Sequence, residues 1–183
     1  MRKIIEYTLA SIDGVFAGPE TRRFFDYRDD AYYRDGVGLL ASSDAMLMGR
    51  VTYEELAKIF SGRQGHPYAD PLTSITKYVF SSTLEHADWD NSVIVRGDLE
   101  AEVTKLKQQD GAPLLVFGHG LFAQALLKAR LLDVLDLSVH PFVAGSGGLL
   151  FHQDQAVAMK LTATKTFSNI VKLTYEPQYD RSF

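Results

Sequence analysis

Hydrophobic and polar positions along the chain follow two rhythms: short apolar runs that stop at glycines or polar turns, and longer stretches of helical spacing. KIIEYTLA at 3–10 predicts a first strand, and residues 13–25, with Gly14, Gly18 and Pro19, predict a loop. Residues 29–42 place Tyr32, Tyr33, Val37, Leu39 and Leu40 at roughly helical spacing, weakened by Gly36 and Gly38. AMLMG at 45–49 predicts a buried strand, followed by a helix over VTYEELAKIF, 51–60. Residues 61–72 are Gly-, Pro- and polar-rich and predict a loop. KYVFSS at 77–82 and SVIVRG at 92–97 predict strands. The helix expected over 98–111 has an apolar face of Leu99, Val103 and Leu106, with Asp98 at its start and Gly111 at its end. PLLVFG at 113–118 predicts a strand, and LFAQALLKARL at 121–131 a helix. Beyond these, DVLDLSVHPFVAG, LLF, KLTATKTFSN and IVKLTYEP predict strands joined by turns.

Short apolar strands alternating with helices imply an α/β fold with a mostly parallel sheet and helices on both faces. The strand-rich end adds an antiparallel edge hairpin. A length of 183 residues suits one domain, with 177–183 expected as a short C-terminal tail.

Composition narrows the function. The net charge of −4 argues against non-specific nucleic-acid binding. The absence of cysteine excludes disulfides and thiolate metal sites and suits a reducing cytoplasm. Arg2 and Lys3 precede apolar residues as in a signal peptide, but Glu6 and Asp13 interrupt the run. No segment approaches the ~20 apolar residues that span a bilayer. We therefore expect a soluble, unprocessed, cytoplasmic protein without a membrane or nucleic-acid partner.

In parallel sheets, ligands sit at the carboxyl ends of the strands, which directs attention to four segments. In MGRVTYEE, 48–55, a strand ends at Gly49 and a helix starts. Free N–H groups at such a start favour phosphate, and Arg50 and Thr52 add a charge and a hydroxyl. In VFGHGLFAQALL, 116–127, Gly118 and Gly120 allow close approach of a diphosphate, although Ala123 breaks the G-x-G-x-x-G pattern. FSSTL, 80–84, offers hydroxyls for a ribose 2′-phosphate, without the acid that favours NAD. Arg96 is a second phosphate candidate. In isolation an ordinary helix start explains MGRVTYEE equally well, a tight strand–helix turn explains VFGHGLFAQALL at least as well, a polar turn explains FSSTL better, and arginines at strand ends such as Arg96 are often simply exposed.

Two further segments bear on chemistry. SIDGVFAGPE, 11–20, is a candidate lid. FFDYRDDAYYRD, 24–35, offers Asp26, Asp29 and Asp30 to a substrate's ring nitrogens, although acids also suit a helix start. We take Asp29 and Asp30 as the candidate catalytic carboxylates. His66, His86, His119, His140 and His152 lack metal-ligand spacing, so no metal is expected. Neither a G-x-S-x-G elbow nor a Walker motif is present.

LMGRVTYE, SIDGVFAGP, VFSSTL, GDLEAEVTKLK, LLVFGHGLFAQALL, LSVHPFVAGSGGLLF and TKTFSNIVKLTYEP together resemble the dihydrofolate-reductase-like superfamily, in the branch of the C-terminal reductase domain of riboflavin biosynthesis. The most specific segment, LMGRVTYE, is close to M-G-R-x-T-[WY]-E, and the resemblance covers residues 2–176 or thereabouts. It implies a three-layer fold around a mixed sheet of about eight strands, a bound NADPH, a homodimer, and reduction of a small pterin-, pyrimidine- or flavin-precursor-like heterocycle. It implies that Gly49, Arg50 and Thr52 contact cofactor phosphates and that Ser81 and Ser82 approach the 2′-phosphate. Gly118, His119, Gly120 and Leu121 would border the diphosphate and nicotinamide, and the loop from Asp13 to Gly18 would cover the nicotinamide. The L-P-x-[DE] context of dihydrofolate reductases is absent, so folate is not implied. A non-catalytic nucleotide-binding module and a flavin-binding member of the fold stand as alternatives.

Overall fold

A computed structural model describes residues 1–151 and 156–181; His152 lies outside them. Its main sheet has eight strands: β1 (Ile4–Ser11), β3 (Ala45–Gly49), β4 (Thr76–Phe80), β5 (Ser92–Val95), β6 (Leu114–Phe117), β7 (Val134–His140), β9 (Ala158–Phe167) and β10 (Ile170–Gln178). The order is β5-β4-β3-β6-β1-β7-β10-β9. The first six run parallel to one another, and β10 runs antiparallel to both β7 and β9. β2 (Val15–Ala17) and β8 (Gly148–Leu149) form a separate two-stranded ribbon. The expected α/β architecture, with its antiparallel C-terminal pair, is the one observed.

Strand alternation divides the core between two faces. On one, Tyr7, Met46, Met48 and Leu115 pack with Tyr32 and Leu40 of α1 (Asp30–Ala41), Tyr53 and Phe60 of α2 (Arg50–Phe60), and Leu72 of α3 (Ala69–Ser74). On the other, Ile4, Leu47, Leu114, Val116 and Leu135 pack with Val103 of α4 (Leu99–Gln108) and Leu126 of α5 (Leu121–Lys128). Among the described residues, no helix is long and apolar enough to cross a membrane.

Three expectations change. Residues 61–72 are not wholly loop, because α3 forms around Pro71, which is tolerated in a first turn. The fully buried Lys77 of β4 closes that helix by donating to the carbonyls of Leu72, Thr73 and Ile75 at 2.7, 3.0 and 2.7 Å. Ser81 and Ser82 lie beyond the end of β4, in a turn. Residues 177–183 are not all tail: Pro177 and Gln178 pair with Met159 and Ala158, and the Tyr179 hydroxyl donates to the Leu132 carbonyl at 2.8 Å.

Candidate active site

The parallel strands bring their carboxyl ends to one side. Gly49 ends β3 beside Phe80 of β4, and Phe117 ends β6 beside Tyr7 of β1. The helices that start there differ in one respect. Asp29 caps α1 by accepting from Tyr32 N at 2.8 Å, and Asp98 caps α4 by accepting from Ala101 N at 2.9 Å. α2 and α5 start from Gly49 and Gly120, and neither has a side-chain cap. Their first-turn N–H groups therefore carry the partial positive charge that attracts phosphate. They also start side by side: β3 and β6 are neighbours, and a Cβ on Gly49 would lie 3.6 Å from Phe122 Cβ.

Side chains at this edge suit a ligand surface. Arg50 is half exposed, with only a 3.5 Å contact to Glu54. Thr52 follows in the first turn of α2 and is partly exposed. Val51 and Leu121, apolar residues at the starts of the two helices, are 61% and 84% exposed. Gly118 adopts φ +75 while its N–H donates to Tyr7 O at 2.9 Å, which leaves an open turn that a side chain would strain.

Residues 2–173 match the RibD C-terminal domain family. The chain belongs to that family. Two relatives from Bacillus subtilis (strain 168), the uncharacterized proteins YwjB and YyaP, are 28% and 26% identical over 182 and 181 residues; each match covers 95% of this chain, and 97% and 94% of theirs. A putative riboflavin biosynthesis protein from Shewanella sp. PV-4 superposes with a TM-score of 0.78 at 22% identity, over 97% of this chain and 99% of that one. A Thermotoga maritima diaminohydroxyphosphoribosylaminopyrimidine deaminase/5-amino-6-(5-phosphoribosylamino)uracil reductase gives 0.69 at 14% identity, over 97% of this chain and 57% of that one. The fold of this RibD-type domain is dihydrofolate-reductase-like.

Within it, several expected site residues have structural partners instead of open space. Asp13 accepts from Ser11 Oγ at 2.5 Å and from the N–H groups of Ala144 and Gly145 at 3.0 and 2.8 Å. These bonds lower its pKa to about 2 and tie the end of β1 to the loop after β7. Gly18 approaches Gly147, where a Cβ would meet Gly147 Cα at 3.1 Å. Both residues therefore help hold the loop that carries β2 against residues 144–147. Ser81 Oγ accepts from the N–H groups of Thr83 and Leu84. Arg96 donates to the carbonyls of Ser81, Ser82 and Leu84, so it clips this turn and leaves the exposed Ser82 and Thr83 hydroxyls as the reachable groups.

The candidate carboxylates Asp29 and Asp30 lie at the start of α1. Asp29 is held by Tyr32 N and by the Ser168 hydroxyl, and these bonds lower its pKa. Asp30 is exposed at the start of α1. The His119 side chain is fully buried against Glu6, 2.6 Å away, under the rings of Phe16 and Phe151, so only its backbone can face a cofactor. Burial raises the Glu6 pKa against the opposing pull of His119. Sequence reasoning missed this pair because Glu6 and His119 lie 113 residues apart.

Two open grooves, of about 440 and 340 Å³, lie elsewhere, along Pro177–Arg181 and the C-terminal end of α5. Neither adjoins a free helix start, so the strand ends are the better candidate. Among the described residues, no His, Asp and Glu cluster could hold a metal ion.

Proposed function

We propose that this RibD-type domain is an NADPH-dependent reductase of a small pterin-, pyrimidine- or flavin-precursor-like heterocycle. The observation that carries the reading is the pair of uncapped helix starts, α2 and α5, opening side by side at adjacent strand ends. The residues there fit a dinucleotide. Free N–H groups at Arg50–Thr52 and Leu121 would hold phosphates, with Arg50 adding charge. Gly118 and Gly120 would let the diphosphate approach the backbone. Ser82 and Thr83, beside the Arg96 guanidinium, would take the 2′-phosphate. The β2–β8 ribbon, pinned by Asp13, would exclude water over the reacting rings.

When bound, NADPH supplies hydride to a ring C=N or C=O carbon. The chain's own part is to position the two reactants and keep the cleft dry. NADPH absorbance followed with a panel of dihydropterins and aminopyrimidine ribosyl compounds tests the activity. Oxidation with any member supports it. Tight NADPH binding without oxidation across the panel favours a nucleotide-binding module, and preference for FMN over NADPH overturns the cofactor. The resemblance also brings a homodimer, which sedimentation velocity tests.

A further inference from the structure

The face of β7 that packs toward α1 carries Asp136, Ser138 and His140 in alternation, and their hydrogen bonding thins out toward the cleft. Asp136 is fully engaged, with Lys172 Nζ at 3.3 Å and Thr174 Oγ1 at 2.6 Å. Ser138 Oγ, near the Tyr32 phenol, makes no hydrogen bond of good geometry. His140, on the last residue of the strand, is fully buried with neither ring nitrogen partnered. The buried Nε of Arg28 is also unpartnered, and its guanidinium carbon lies 4.2 Å from the Phe25 ring centroid and 5.7 Å from that of Tyr32. Such groups are costly to bury without a partner, so their concentration at a strand's cleft end points to a ligand.

The chemistry of the set is one-sided. Tyr7 donates its phenolic proton to Tyr32 at 2.5 Å, which leaves the Tyr32 proton directed onward. Burial and Arg28 depress the His140 pKa to about 4, so the ring is neutral near pH 7 and offers one donor. Arg28 adds a cation. The carboxylates around the cluster are committed: Asp29 to Tyr32 N and Ser168, Asp35 to Lys165 and Lys172, and Asp136 to Lys172 and Thr174. The aromatic wall is Phe24, edge-on to His140 at 4.9 Å, and Phe142, 5.1 Å from Phe24. Phe24 sits on the short 3-10 segment Pro19–Phe25 that follows β2 and closes over His140 from that side.

We propose that Arg28, Tyr32 and His140 form the substrate half of the cleft and select an acceptor-rich or anionic ring oxygen, a carbonyl or enolate, over an aminopyrimidine edge that needs a carboxylate. This deepens the reductase reading and rests on its small heterocyclic substrate. Arg28 acts as a specificity-determining contact and His140 as a positioning donor beside it.

The test uses two planar probes on the full chain, barbiturate (acceptor-rich and anionic) and 2,4-diaminopyrimidine (donor-rich), titrated by NMR with and without NADPH. Barbiturate binds more tightly by about tenfold or more, consistent with charge-assisted contacts. Arg28→Met and His140→Phe each remove about tenfold of that affinity, and an unchanged amide spectrum shows that each variant is folded. If His140→Phe fails to fold, Arg28→Met alone decides, because Arg28 is only partly buried, in the segment just before α1. Preference for 2,4-diaminopyrimidine, or full barbiturate affinity in folded Arg28→Met, overturns the proposal. Barbiturate binding without NADPH binding upholds this subsite and removes the cofactor reading; the reverse upholds the cofactor and removes the subsite.

Discussion

Glu6 of β1 and His119, in the turn before α5, face each other at 2.6 Å with neither side chain exposed. Glu6 Oε2 and His119 Nε2 have no other partner. Removing one member of such a pair strands the other, whereas replacing both with apolar groups is often neutral or stabilising. We predict that Glu6→Ala lowers the unfolding free energy by about 3–5 kcal/mol. Glu6→Met with His119→Leu recovers most of that loss. Urea titration of the three variants checks it, and additive losses in the double variant would show that the pair is not coupled.

Arg50 has only a loose contact to Glu54, so its loss should leave the fold intact. Arg50→Ala should instead weaken NADPH by about 1.5–3 kcal/mol, the range of a charge-assisted hydrogen bond. Fluorescence titration reads the change, and wild-type affinity would remove Arg50 from the phosphate site.

His140 makes stability depend on pH. Burial, helped by Arg28, lowers its pKa from 6.5 to about 4. Between those values the unfolded chain binds a proton that the folded chain refuses. Stability is therefore intact above this window and falls as pH drops through it. At ~1.4 kcal/mol per pKa unit the loss reaches about 3 kcal/mol. Urea titrations stepped down from neutral pH should show this loss in the wild type, and His140→Phe should remove it.

Gly147 sits at φ +135, and a Cβ there would run into the Ala17 carbonyl and the Val15 side chain. Gly147→Ala should unseat β2 from β8 and cost about 1 kcal/mol or more. If the ribbon covers a bound cofactor, stopped-flow dissociation of NADPH also accelerates. Unchanged release from a destabilised variant would separate the ribbon from the cofactor.

Much of the fold was legible because buried parallel strands announce themselves as unbroken apolar runs: AMLMG and LLVF matched β3 and β6 closely. α3 was hidden because its six residues include a proline and its closing contacts come from Lys77, which faces the helix only after β4 is placed. At the site, glycines and Arg50 at strand ends could be found from local pattern. The roles of Asp13, Asp29 and Arg96 could not, since each is set by partners the local sequence does not reveal: Ala144 and Gly145, Ser168, and the carbonyls of a turn. The unpartnered His140 was equally invisible, because the lack of a partner is a property of packing.

The proposed dinucleotide surface spans the carboxyl ends of β3, β4 and β6. Amide chemical shifts during an NADPH titration test it most directly. A dinucleotide bound there should concentrate the perturbations at Gly49–Thr52, Ser82 and Gly118–Leu121. No saturable change, or changes confined to the groove at Arg130 and Tyr179, would contradict it.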